Sequence, residues 1–179
     1  MRNRSNLKYP YIQIAINTID QINDIVGRVI AWLSLVMVVM TCAVVIARYV
    51  FNVGSISLQE SIMYMHGAVF MLAIGFTLKE HGHVRVDVFY EKFSPETKIT
   101  INIAGHLLFL LPFCVFVLWT SIDYVSFAWS LKESSAQPGG LPGVYLLKSL
   151  IPAMAILLML QGVGGILKDV LALTNPHGK

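Results

Sequence analysis

Along the chain, apolar residues run in four long stretches and the charged residues crowd between them. Residues 29–47, 61–78, 99–122 and 149–167 hold no Asp, Glu, Lys or Arg. Each stretch meets the ~17–25 residues an α-helix needs to cross a ~30 Å hydrocarbon core. Lipid offers no partner to an open strand edge, so such spans close their backbone hydrogen bonds within themselves, as helices. The pattern predicts an all-α membrane protein with four transmembrane helices at about those positions.

A different period precedes the first stretch. Ile12, Ile16, Ile19, Ile22 and Val26 recur at spacings of three and four, with Asn17, Asp20, Gln21, Asn23 and Asp24 between them. That is the pattern of an amphipathic helix. Pro10 suits its first turn, and its place just before a span suggests that it lies along the membrane interface. Residues 1–8 are basic and polar, and disorder is expected there. The expected organisation is a tail with an amphipathic interfacial helix (1–27), a four-helix transmembrane domain (28–170) and a second tail (171–179). The polar leader is about 28 residues long and no A-x-A-like site follows the span, so it reads as retained rather than as a signal peptide.

Ser94-Pro95-Glu96 has the cap, the proline and the acid that start a helix. Helical character then continues past the third stretch through Tyr124, Phe127 and Leu131 to about Lys132. From Pro95 that run is ~57 Å long at 1.5 Å per residue, so the helix either projects from the bilayer or bends at Pro112. Trp119, Tyr124 and Trp129 suit an interfacial aromatic belt. Residues 134–143, with Pro138-Gly139-Gly140 and Pro142-Gly143, read as a loop. Residues 84–93 fit a short interfacial helix, although Val84, Val86 and Val88 also alternate as in a strand.

Composition agrees with the pattern. Apolar residues make up 56% and charged residues 13%, against about 25% charged in soluble domains. The distribution of Lys and Arg sets the orientation. The N-terminal segment, the second loop and the C-terminal tail together carry ten; Arg48, Lys132 and Lys148 are the three on the other side. The positive-inside rule puts both termini and the second loop in the cytoplasm. The basic residues fit anionic lipid headgroups, and no nucleic-acid partner is expected.

Candidate chemistry is sparse, and no catalytic residue is expected. Without an ionised side chain or a broken helix at mid-membrane apart from Pro112, the chain lacks the usual equipment of an ion-coupled carrier. Cys42 and Cys114 both fall inside predicted spans, where cysteine acts as a small hydrophobe. His66 and His106 are intramembrane, and a bis-histidine haem site is the sharpest reading of them. Each would lie ~9–10 Å deep from opposite faces, leaving ~10 Å between them in depth, too far to share one iron. No cofactor is therefore expected, and a hydrogen bond to a neighbouring helix is the plainer reading. His81 and His83 flank Gly82 near Glu80 and Asp87 but match no strong zinc spacing, so no metal is expected either. Gly162, Gly164 and Gly165 could seat another helix, as could Ala43-x-x-x-Ala47 and Ser149-x-x-x-Ala153. Arg48 and Glu60 close the first span and open the second on one side, where they could form an ion pair or stay solvated.

The run Arg48-Tyr49-Val50-Phe51-Asn52, then Glu60, then His81-Gly82-His83-Val84-Arg85-Val86-Asp87 resembles the small permease subunit of tripartite ATP-independent periplasmic (TRAP) transporters. The likeness covers roughly residues 25–170. It implies a non-enzymatic scaffold in a bacterial inner membrane, paired with a large membrane subunit that holds the substrate and sodium sites. A periplasmic binding protein would deliver the substrate, an organic acid. By matching position, Arg48, Glu60, His83, Arg85 and Asp87 are candidates for structural and partner-interface roles. Two other classes stay open at this point: a haem-binding membrane anchor of a redox complex, and a small self-sufficient exporter working as a dimer.

Overall fold

The computed structural model describes residues 9–80, 82 and 93–174. The first tail, most of the second loop with its expected short helix, His81, His83, Arg85 and Asp87, and residues 175–179 lie outside the described residues. Among the described residues every regular element is helical: α1 (Pro10–Val50), α2 (Ile56–Lys79), α3 (Pro95–Gly105), α4 (Leu111–Ser130) and α5 (Val144–Thr174). A single π turn, His106–Leu110, joins α3 to α4. Four helices are therefore long and apolar enough to cross a membrane: α1, α2, the combined run Pro95–Ser130, and α5.

The amphipathic segment and the first span are one continuous helix of 41 residues, with Pro10 in its first turn. It buries Ile16, Asn23 and Ile30, spaced by seven as on one side of a helix packed against neighbours. Asn52 stops it by taking a left-handed backbone with φ 53, which Asn tolerates because its side chain is short. Ser55 then caps α2, its hydroxyl accepting from the Leu58 N–H.

The third long helix does not break at Pro112 but carries a π turn just before it. Proline at 112 removes one N–H and crowds the carbonyl four residues back. The preceding turn widens to i→i+5 spacing, with the Leu111 N–H reaching the His106 carbonyl, and a π turn of this kind absorbs such a mismatch. The helix starts as expected, Ser94 accepting from the Thr97 N–H at 3.2 Å.

α5 is the hub, packing on α1, α2, α3 and α4, while α1 otherwise packs on α2. Its apolar window is 28% buried, against 6% in each of the other three. The buried apolar set is small: Ile16, Ile30, Cys114, Ala128, Ala155 and Leu158. A soluble fold could not persist on so little. In lipid the outward faces need no burial, because the solvent is as apolar as the side chains, and close packing with interhelical hydrogen bonds does the joining.

Glycines supply that close packing. Cβ atoms added at Gly162, Gly164 and Gly165 would meet Leu110 at 2.5 Å, Ile19 at 3.1 Å and His106 at 3.0 Å. The glycine cluster thus receives two helices of this same chain, the third on one side and α1 on the other.

Candidate functional site

The polar side chains gather at the two ends of the bundle. At one end, Glu60, one turn into α2, holds the turn-rich loop between α4 and α5. One carboxylate oxygen accepts from the Ser135 hydroxyl, and the other accepts from the Leu141 N–H at 2.6 Å. The loop is shaped to be held. α4 ends with Lys132 left-handed at φ 45, the Glu133 N–H returning to the Ala128 carbonyl and the Lys132 N–H to that of Trp129, the Schellman pattern. Gln137 to Gly140 forms a turn with Pro138 second, Gly139 third at φ 77, and the Gly140 N–H donating to the Gln137 carbonyl at 3.0 Å. Proline followed by a positive-φ glycine is what a type II turn requires. A Cβ at Gly140 would come within 2.8 Å of Glu60 Oε1, so only glycine lets the backbone close on the carboxylate.

The same end ties α4 to α5. Lys148 pairs with Glu133 at 2.5 Å and sits 4.1 Å from the centre of the Tyr124 ring. The Trp129 indole N–H donates to Ser149 Oγ at 2.8 Å, and its ring meets Tyr145 edge-on at 4.7 Å.

Arg48 stands apart. It is exposed and lines an open cleft of about 610 Å³ with Tyr49, Asn52 and Gln59. The contemplated Arg48–Glu60 ion pair is not formed among the described residues; both Glu60 oxygens are turned to the α4–α5 loop instead. Of the five residues singled out from sequence, Glu60 has a defined set of contacts and Arg48 a defined cleft. His83, Arg85 and Asp87 lie outside the described residues.

At the opposite end, three polar residues of α1 are bound to α2 and α5. Asp20 pairs with Lys168 at 2.8 Å, and Asp24 pairs with Lys79. Between them Asn23 is fully buried and donates to Gln161 Oε1 at 2.8 Å. A Cβ on Gly75 would fall 2.2 Å from Asn23 Oδ1, so the amide presses against α2 where Gly75 leaves room for it. Beside this knot a cleft of about 180 Å³ is lined by Lys79, Asn102, His106, Gln161 and Lys168. Sequence reasoning missed this cluster, although one signal was available. Asp20 and Asp24 are one helical turn apart, and Lys79 and Lys168 end the second and fourth spans on the side assigned to the N-terminus.

The two intramembrane histidines are far apart. Gly67, next to His66, abuts Leu147 on α5, whereas His106 abuts Gly165. Those α5 positions are ~27 Å apart at 1.5 Å per residue, a wider gap than the depth argument expected. His66 is exposed on α2. Among the described residues no three His, Cys, Asp or Glu side chains group as metal ligands would.

These features define a multi-span membrane protein whose polar groups join its own helices at both ends. A family model, that of tripartite ATP-independent periplasmic transporters, DctQ component, matches residues 37–172, and the chain belongs to that family. It is thus a small membrane component of such a transporter, and the matched stretch includes all five candidate residues. No curated protein and no solved structure matches the chain. The haem-anchor reading gains no support from this family, which is one of transporter components.

Proposed function

We propose that the chain is the rigid scaffold that holds the large, transporting membrane subunit of a TRAP system in place during uptake of an organic acid. A periplasmic binding protein delivers the acid, and an ion gradient, of sodium by the family's resemblance, drives the uptake. The chain sits in a bacterial inner membrane with both termini cytoplasmic, as the ten-to-three split of Lys and Arg favours. The N-terminal half of α1 forms the cytoplasmic-side brace. Arg48 and Glu60 then lie on the periplasmic side, and His83, Arg85 and Asp87 on the cytoplasmic loop, where they contact the large subunit or lipid headgroups.

One observation carries this reading: both ends of the bundle are tied across helices, by Glu60 to the α4–α5 loop and by Asp20, Asn23 and Asp24 to α2 and α5. A carrier that alternates access must let elements move past one another. This chain is built against internal motion, which suits the fixed partner of a moving subunit. The loop that Glu60 holds then lies on the outer side, where a binding protein docks.

The test is transport by the large subunit in proteoliposomes with the binding protein added. Full uptake only when this chain is co-reconstituted supports the scaffold role, and undiminished uptake without it refutes that role.

A further inference from the structure

We infer that one stripe of α2, centred on His66, is the seat of a membrane-embedded helix of the large subunit. This rests on the proposed pairing with that subunit and adds where the contact lies. Gln59, Met63, His66 and Phe70 are all exposed and fall at spacings of four, three and four, one face of the helix. Met63 is 52% and Phe70 73% exposed.

His66 is the anomaly on that face. The exposed threonines elsewhere in the spans satisfy themselves on their own helix: Thr41 donates to the Met37 carbonyl, Thr100 to that of Glu96 and Thr120 to that of Phe116. Such back-bonding is open to short hydroxyls, and an imidazole is the wrong shape for it. His66 has no hydrogen bond among the described residues and points away from the bundle. It is six residues inward of Glu60, or ~9 Å at 1.5 Å per residue, and it lacks the long stem with which Lys or Arg reaches the headgroups. Lipid chains cannot satisfy an imidazole, and ionisable groups in spans as a rule face protein or water. The complement His66 needs is a hydroxyl, amide or carboxylate at the same depth on an otherwise apolar helix. The apolar Met63 and Phe70 on either side give that helix a surface to pack on. The exposed positions Ile156, Val163 and Val170 on α5 are all aliphatic and make no such demand.

The test uses the full chain co-expressed with its large subunit, with a photo-crosslinking residue at Met63, at Phe70 or at Val163, followed by recovery of the complex with His66→Leu and His66→Asn. Adducts to the large subunit from positions 63 and 70 are expected. His66→Leu removes a polar group from an exposed membrane face, so it should not harm the folding of this chain alone. Its recovery with the large subunit falls about threefold or more, the scale of an interhelical hydrogen bond, while His66→Asn keeps most of it. Adducts from Val163 with none from 63 or 70 overturn the placement and leave the pairing standing. Adducts only to lipid or to a second copy of the chain overturn it too. Unchanged recovery with His66→Leu removes the histidine from the contact. If the wild-type chain captures no large subunit, the inference falls together with the proposed function.

Discussion

The Asn23 amide donates to Gln161 Oε1 across 2.8 Å, joining residues 138 positions apart. Both side chains are buried, in a bundle whose outer surfaces are nearly all apolar. Removing either costs the other a hydrogen bond at a buried site, Asn23 keeping only its donation to the Ile19 carbonyl at 3.1 Å. A double-mutant cycle with Asn23→Ala and Gln161→Ala, read by thermal unfolding in mild detergent, should give a coupling of ~0.6–1.7 kcal/mol. Additive effects would show that the bond contributes nothing.

Gly75 and Gly105 make a contrasting pair. A Cβ at Gly75 meets Asn23 Oδ1 at 2.2 Å and the Leu157 carbonyl at 3.2 Å, whereas nothing lies within 4 Å of one at Gly105. Gly75→Ala should destabilise by ~1–3 kcal/mol through forced displacement of α1 or α5. Gly105→Ala should be neutral or stabilise by up to ~1 kcal/mol through helix propensity. Equal midpoints for the two variants would contradict the packing described at the Asn23 knot.

Glu60→Ala strips the acceptors from the Ser135 hydroxyl and the Leu141 N–H. The cost should be ~1–3 kcal/mol for the orphaned donors, and amide exchange should rise in residues 135–143 with little change in α1. Glu60→Gln keeps an acceptor oxygen and should lose less. Exchange unchanged in both variants would mean the loop holds its shape by turn geometry alone.

The Asp20–Lys168 and Asp24–Lys79 pairs are partly exposed, so each should be worth at most ~1 kcal/mol. Asp20→Asn with Asp24→Asn should loosen residues 10–27 at low salt. In high salt the difference from wild type should shrink, as screening weakens the wild-type pairs. A difference independent of salt would point to packing rather than charge.

The sequence revealed the spans and not the joints. Four uncharged runs needed only lengths and charges to be recognised, and Ser94-Pro95-Glu96 announced its helix start in three residues. Lys132 as a left-handed helix stop, by contrast, has no local signature, and Pro112 left bend and projection undecided where the backbone chose a π turn. Glu60 was recognisable as special from position, yet its partners in the loop were not, since Ser135 and Leu141 lie 75 and 81 residues away. Periodicity was of little help inside the membrane, because apolar residues cover both the lipid-facing and the packed sides of each span. Only before the first span, where polar residues alternate with isoleucines, did the pattern show a face, and there the structure buries Asn23 from the polar side together with Ile16 and leaves Ile22 exposed.

The most direct measurement is a tagged pull-down of this chain from mild-detergent membranes, with the co-purifying proteins identified and quantified by mass spectrometry. The scaffold account predicts one large, many-spanning membrane protein near one to one. Recovery of this chain alone, or with flavin or iron–sulfur subunits and a Soret band, would contradict it.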